Sequence, residues 1–261
     1  GAPEAFPDPR RTTGYAAFGQ ATYRFNDQWA LTAGARYTHD KKDFHGIGTR
    51  GGAGTVIENY DVSGDASWSA TTPKATIEYK PTLDALLYAS YSKGYKAGGF
   101  PNLAPSAAVA STAYEPEYAE MYEIGAKTEW LDGRLRLNLA AFDIKYKDMQ
   151  VLLPLTPVNA PPGAAAQIFT LNAANSSSQG VELEFAVSPT VRWLFSGSAS
   201  LMNAVYDEFF YPDGFVITPG QAANLQSQVG NYLRNAPRKS GTLLARYTQP
   251  LEDRGSLSFQ M

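Results

Sequence analysis

The chain has 261 residues, no cysteine, two histidines and a formal net charge of −3, and these numbers exclude several classes of protein. Without cysteine there is no disulfide framework and no thiolate ligand or nucleophile. The slight acidic excess argues against a nucleic-acid-binding protein, which would carry a basic face. No apolar run approaches the roughly 18 residues of a membrane helix. A membrane β-barrel fits the same composition, because its lipid-facing residues alternate with polar ones.

Residues 1–12 are rich in proline and predict a loop. From Tyr15 to Phe25 apolar side chains occupy every second position, which is the period of a β-strand. A turn at 26–28 leads to a second alternating stretch from Trp29 to Tyr37. The same hairpin unit recurs at 74–95, 122–141, 181–206 and 243–261, with short turns near 82, 132, 189 and 252.

The predicted strands are long, and their connections alternate between short and long. We count about ten strands, most of at least ten residues, whereas about five or six residues is usual. The long connections are rich in Gly, Pro, Ala, Asn and Ser and predict surface loops at 40–67, 97–117, 148–175 and 207–235. This alternation is typical of a membrane barrel with tight turns on one rim and large loops on the other.

Aromatic residues recur at a spacing of eight along several strands. Trp29 and Tyr37 share one face, as do Tyr122 and Trp130. Eight residues span about 26 Å, or about 20 Å along the axis of a barrel whose strands tilt by about 40°. The spacing therefore predicts an apolar band between two aromatic girdles. The alternatives are a soluble β-sandwich, whose strands would be shorter, and a propeller, whose blade would need four short strands in about 50 residues.

The Asp132-Gly133 pair predicts a two-residue hairpin turn, since both turn positions favour positive φ. This turn places Trp130 opposite Leu135 and Glu129 opposite Arg136. Trp130 and Leu135 would then face lipid, while Glu129 and Arg136 would face the lumen. Charged residues on the lumen side would contact a plug and substrate, or form a hydrated ladder of ion pairs worth about 0–1 kcal/mol each.

Several segments resemble the barrel of TonB-dependent outer-membrane receptors. They are Tyr15–Tyr23, Trp29–Asp40, Tyr91–Phe100, Tyr114–Glu117, Tyr122–Lys127, Leu139–Asp148 and Asn175–Phe185. The resemblance covers nearly the whole chain in the order of the family. It implies an all-β, antiparallel up-and-down transmembrane barrel in the bacterial outer membrane, with about 22 strands closed by an N-terminal plug.

The resemblance also predicts which part of such a barrel this chain forms. With about ten strands, residues 1–261 are expected to form a partial barrel domain, an internal slice from its later part. We find no plug domain, no TonB box and no signal peptide. An isolated arc of this kind would leave backbone groups unpaired at both edges.

The family implies a receptor that is not an enzyme and has no cofactor. Its partners would be a ferric siderophore or another large nutrient, the TonB–ExbB–ExbD complex through the missing plug domain, and outer-membrane lipid, but no nucleic acid. A ferric siderophore is the expected cargo because it is the commonest in the family, and a carbohydrate is the alternative. An outer-membrane hydrolase is the alternative from another class, since His39 and His45 flank Asp40 and Asp43. Two histidines six residues apart in such a loop have no defined metal geometry, and we interpret them as a solvated loop base.

Aromatic residues on the extracellular loops are the candidate ligand-binding residues: Tyr95, Phe100, Tyr114, Phe209, Phe210 and Tyr211. Exposed aromatic rings on loops suit flat ligands such as catecholates or sugar rings. The alternative is that these rings pack the loops against one another. We assign no catalytic residue and no metal ligand.

Overall fold

The structure, a computed structural model, describes residues 11–50, 56, 58–101, 104, 106–157, 167–209, 215–216, 228–251 and 254–261. Their strands are β1 (Arg11–Arg24), β2 (Trp29–Gly48), β3 (Tyr60–Thr82), β4 (Ala85–Lys96), β5 (Glu117–Trp130), β6 (Leu135–Pro157), β7 (Gln167–Thr190), β8 (Trp193–Phe209), β9 (Phe215–Val216), β10 (Lys239–Pro250) and β11 (Ser256–Gln260). One short helix, α1 (Ala107–Ser111), lies between β4 and β5. Within the described ranges, no helix has the length and apolar character to cross a membrane.

The strands form one antiparallel sheet in which chain neighbours pair. The order is β1-β2-β3-β4-β5-β6-β7-β8-β10-β11, and the two-residue β9 pairs with the end of β6. The prediction of an all-β, up-and-down arrangement of about ten strands is confirmed. Short turns join one end of each hairpin, which we call the short-turn end, and the longer connections lie at the opposite, long-loop end.

The two faces of the sheet differ in character. One face, here called the outer face, carries large exposed apolar side chains such as Ile124, Leu139 and Leu243, which are 62, 54 and 73% exposed. On the opposite, inner face, Arg136 Nη2 lies 2.8 Å from Glu129 Oε1. A continuous apolar face of this size is typical of contact with lipid rather than water.

The predicted hairpin register between β5 and β6 is confirmed. Trp130 pairs with Leu135 and Glu129 pairs with Arg136. Asp132 and Gly133 have the positive φ predicted for the turn, 56° and 79°, but Leu131 also has a φ of 57°, so left-handed backbone covers three residues rather than two. The turn therefore sets which side chains of this hairpin face outward.

Two rows of aromatic rings border the apolar band of the outer face. At the short-turn end Trp29 stacks on Tyr79, with 4.4 Å between ring centroids. Toward the long-loop end the rings of Tyr91 and Tyr122 lie 5.1 Å apart. The predicted girdles are thus present on both sides of the band.

The strands extend farther past the long-loop row than the sequence predicted. β2 continues to Gly48 and β3 begins at Tyr60, so the predicted boundaries of loop 40–67 are wrong. Those of loop 148–175 are also wrong, because β6 reaches Pro157 and β7 begins at Gln167. Beyond the apolar band the apolar alternation ends, but the strands remain paired because their backbone N–H and C=O groups still need hydrogen-bond partners.

Candidate ligand-binding site

The described residues of segment 97–116, namely 97–101, 104 and 106–116, are here called the strap, and they pack against the inner face of β2 and β3. The ring of Phe100 stacks on Phe44 with 4.1 Å between centroids, and both residues are 6% exposed. Ala104 and Ala110 join the same cluster, and the Tyr60 hydroxyl donates a 2.7 Å hydrogen bond to the Ala104 carbonyl. Burial of these apolar groups holds the strap to the inner wall.

Helix α1 connects this cluster to a second one. Ser106 caps its N-terminus, and its Oγ accepts a hydrogen bond from the Val109 N–H at 3.4 Å. Val109 contacts the cluster around Phe44 and also the cluster formed by Leu155 and Phe169. The helix therefore lies between the β2–β3 and β6–β7 hairpins.

Side chains from three strands hold the C-terminal part of the strap at Glu115. Asn172 Nδ2 donates to the Glu115 carbonyl at 2.8 Å and Asn172 Oδ1 accepts from the Glu115 N–H at 2.7 Å. Gln150 Nε2 donates to the same carbonyl at 3.0 Å. Trp68 Nε1 donates to Glu115 Oε2 at 3.3 Å. These bonds satisfy backbone groups that an irregular segment would otherwise leave unpaired.

The N-terminal part of the strap passes very close to the wall at Gly98. Lys42 Nζ donates to the Gly98 carbonyl at 2.6 Å. A Cβ atom on Gly98 would collide with the Tyr114 carbonyl and the Trp68 ring, so only glycine fits there. Burial lowers the pKa of Lys42; the charge of Lys96 acts in the same direction, while Asp40 opposes it.

The structure does not bring the predicted aromatic residues together into one site. Phe100 lies inside the strap cluster, where its ring packs loop against wall, and Tyr114 is half-buried in the same strap, its backbone paired with Gly99. Phe209 packs against Tyr206 with 4.8 Å between centroids. The remaining two candidates, Phe210 and Tyr211, lie outside the described residues.

Tyr95 lies near the end of β4, beyond the Tyr91 row. Its ring centroid is 5.8 Å from that of Tyr118. Its hydroxyl is buried and has no hydrogen-bond partner among the described residues. Burial, reinforced by the Asp40 carboxylate, raises the pKa of Tyr95 to about 12.

A groove of about 490 Å³ runs beside the extended end of β6. It is lined by Met149–Leu155, by Tyr206 and Phe209 of β8, and by the polar side chains of Gln228 and Arg234. Small-molecule sites typically have about 300–1,000 Å³ and a mainly apolar lining with a few polar groups. The groove can therefore hold the apolar or aromatic body of a ligand while the Arg234 guanidinium donates to an anionic group.

Sequence reasoning found only Phe209 among the residues that line this groove. The sequence predicts a surface loop for these β6 residues, although the run Val151-Leu152-Leu153 is unusually apolar for one. That run was a signal for a buried segment. Arg234 carried no comparable signal.

The two histidines have separate polar partners on the outer face. His45 Nε2 lies 2.7 Å from Asp61 Oδ1, and His39 Nδ1 lies 2.9 Å from Ser69 Oγ. Across the residues that the structure describes, no three His, Asp or Glu side chains are grouped as metal ligands. Both histidines lie within β2, so their predicted position at the base of a loop is wrong.

Comparison with known proteins identifies relatives over nearly the whole chain. The family described as TonB dependent receptor-like, beta-barrel matches residues 1–260. The metal-pseudopaline receptor CntO of Pseudomonas aeruginosa strain UCBPP-PA14 is 28% identical over 228 residues, which are 87% of this chain and 27% of that protein. The chain thus spans about a quarter of the length of this curated relative.

Solved structures show the same fold. The ferric yersiniabactin uptake receptor FyuA from Yersinia pestis has a TM-score of 0.67 at 20% identity, covering 95% of this chain and 34% of FyuA. The siderophore receptor PiuA from Acinetobacter baumannii has a TM-score of 0.67 at 19% identity, covering 91% of this chain and 31% of PiuA. These relatives are receptors rather than enzymes, as the sequence predicted.

Proposed function

Because this chain belongs to the TonB-dependent receptor family, whose β-barrel lies in the bacterial outer membrane, we propose that it forms the ligand-recognising part of a ferric siderophore receptor. The chain contributes about ten consecutive strands of the barrel wall. The long-loop end faces the outside of the cell, where the ligand arrives. A plug outside this chain closes the lumen, so import requires energy from the TonB–ExbB–ExbD complex.

The groove beside β6 is the observation that carries this proposal. Its lining is largely apolar and aromatic, and Arg234 supplies a cation. Ferric complexes of catecholate or carboxylate ligands combine flat organic groups with negative charge, which matches that lining. A carbohydrate would need many hydrogen-bonding groups. The described part of the groove offers four residues with polar side chains, which are Gln150, Tyr206, Gln228 and Arg234. The names of FyuA, a ferric yersiniabactin uptake receptor, and PiuA, a siderophore receptor, support a siderophore as the ligand, and CntO is named as a receptor for metal-pseudopaline.

The test measures ligand affinity of the purified full-length receptor by isothermal titration. The probes are a ferric catecholate, a ferric carboxylate siderophore and an oligosaccharide, each with wild type and with Arg234→Gln. A charge-assisted hydrogen bond contributes about 1.5–3 kcal/mol, so Arg234→Gln should weaken binding of one ferric complex by roughly 10- to 150-fold. Arg192→Gln, which removes the same charge in the exposed turn after β7, is the matched control and should bind normally.

Two outcomes would contradict the proposal. One is binding of the oligosaccharide alone, which would make the protein a carbohydrate receptor. The other is equal affinity of Arg234→Gln and wild type for every ferric complex that binds. Point variants test ligand binding more directly than deletion of loop 97–117, because that deletion would also remove strap residues that pack in two apolar clusters.

A further inference from the structure

A small pocket, which we call the strap pocket, lies between the strap and the inner wall beside β1. Its volume is about 140 Å³, which is below the roughly 300–1,000 Å³ of typical small-molecule sites and well above the roughly 10–15 Å³ that one water molecule needs. The wall contributes Thr12, Lys42 and Phe44, and the strap contributes Gly99, Phe100 and Tyr114. Because its two sides come from different segments of the chain, the pocket is complete only while the strap is docked.

Hydrogen-bond donors from both sides reach the strap pocket. Lys42 Nζ has three N–H groups and donates one of them to the Gly98 carbonyl at 2.6 Å. A Cβ atom added to Gly99 would lie 2.5 Å from the Tyr114 hydroxyl and 3.3 Å from Lys42 Nζ. The hydroxyl of the strap and the ammonium of the wall are therefore close to the same point at the edge of the pocket, and Thr12 adds a second hydroxyl.

The positive charge of Lys42 is only partly compensated. Within the described ranges Lys42 forms no ion pair. Asp43 also lines the pocket, but it follows Lys42 in the strand, so its side chain is on the opposite face, where its carboxylate lies 3.6 Å from Lys41 Nζ. Burial and the charge of Lys96 lower the pKa of Lys42 by more than Asp40 raises it. An anion in the pocket would therefore stabilise the ammonium.

We propose that the strap pocket binds a small free oxyanion of the phosphate class, which bridges the wall and the strap. The anion accepts charge-assisted hydrogen bonds from the Lys42 ammonium and further hydrogen bonds from the Tyr114 and Thr12 hydroxyls. Because these donors come together only in the docked state, the bound anion stabilises docking of the strap by mass action. This site is separate from the groove beside β6 and does not depend on the siderophore proposal.

The test measures phosphate binding and strap docking in the full-length receptor in detergent, at a constant ionic strength set with sodium chloride. Titration calorimetry gives the Kd of inorganic phosphate. Hydrogen exchange of the Gly99 and Tyr114 amides, which bond to each other's carbonyls, reports docking of the strap. A ligand at about ten times its Kd favours the state that binds it about tenfold, so these amides should exchange roughly tenfold more slowly in phosphate than in chloride.

Three variants change the donors of the pocket. Lys42→Gln removes the charge but keeps a donor for the Gly98 carbonyl, so it should lose the response to phosphate. Lys42→Arg keeps the charge and should keep most of the response. Tyr114→Phe keeps the ring but loses the hydroxyl and should weaken phosphate binding about tenfold or more.

Lys41→Gln is the matched control, because it removes the same charge from the neighbouring residue, whose ammonium is 3.2 Å from Asp65 on the outer face. It should respond to phosphate like wild type. Equal responses of wild type and Lys42→Gln, or equal exchange of wild type in phosphate and in chloride, would overturn the proposal. Displacement of phosphate by a ferric complex with a free carboxylate would assign the pocket to the transported ligand and would also overturn it.

Discussion

Replacing Phe44 by alanine should release the strap from the inner wall of the barrel. Phe44 is on β2 and its main aromatic partner, Phe100, is on the strap, with 4.1 Å between their ring centroids. Since Phe44 is only 6% exposed, removing its ring leaves a cavity between wall and strap. Loss of this contact weakens the docking of the strap but not the pairing of β2 with β3.

The magnitude follows from the depth of burial. Phe→Ala changes in well-packed sites cost about 3–5 kcal/mol. Because each 1.4 kcal/mol is a factor of about ten, the lower figure raises the ratio of undocked to docked strap roughly 100-fold. The hydrogen bonds at Glu115 and Gly98 remain and limit how far the strap moves.

Hydrogen exchange of the full-length receptor in detergent measures this ratio. The amides of Gly99 and Tyr114, which bond to each other's carbonyls at 3.0 and 2.7 Å, should exchange roughly 100-fold faster in Phe44→Ala. Ile47→Ala is the control, because Ile47 is on the same strand, three residues away, and is 44% exposed. Strap exchange that is the same in wild type and Phe44→Ala would refute the reasoning. An equal rise throughout β2 and β3 would also refute it.

Three further predictions concern the turn, the strap anchor and alkaline pH. Gly133→Ala should lower the free energy of unfolding by about 1–2 kcal/mol, because Gly133 has a φ of 79° that alanine adopts only with strain. Gly19→Ala is the control and should leave the free energy of unfolding unchanged, because its added Cβ atom would have no other atom within 4 Å. Urea titration measures both values. Asn172→Leu leaves the Glu115 amide unpaired and should accelerate its exchange by about 5- to 100-fold. The pKa of the buried Tyr95 hydroxyl is raised to about 12, so the stability that it contributes is present below pH ~10 and is lost as the pH rises toward ~12. Tyr95→Phe should therefore lose less thermal stability than wild type at alkaline pH. Identical melting profiles of the two proteins across this pH range would contradict the prediction.

The sequence predicts the structure well wherever the membrane imposes the pattern. Lipid on one face requires apolar side chains at every second position, so the register around Trp130 and Leu135 follows from local residues and the Asp132-Gly133 turn. Beyond the apolar band that constraint ends. There the charged residues of β2 and β3 predict a loop, but the structure shows an extended hairpin in which Lys41 pairs with Asp65 at 3.2 Å.

The candidate site was predictable only in part, because its contacts join distant parts of the chain. The ring of Phe100 is buried by Phe44, and Glu115 is held by Asn172. No local pattern in the sequence reveals such pairs. Arg234 lies in the groove because the described residues 228–238, just before β10, run beside β8, where the Leu233 N–H donates to the Ala204 carbonyl at 2.9 Å.

In the orientation proposed above, with the long-loop end outside the cell, the extended β2–β3 hairpin also determines what the cell presents to its surroundings. From Tyr37 to Gly48, β2 continues for eleven residues past the aromatic row, which is about 36 Å of strand or about 28 Å of height at a 40° tilt. Both strands remain paired over this length, from Tyr37 opposite Thr71 to Gly48 opposite Tyr60. The hairpin is therefore a rigid projection that rises above the lipid headgroups. An antibody or phage that recognises it meets a conformational epitope, built from side chains of two strands, which a linear peptide of either strand does not reproduce.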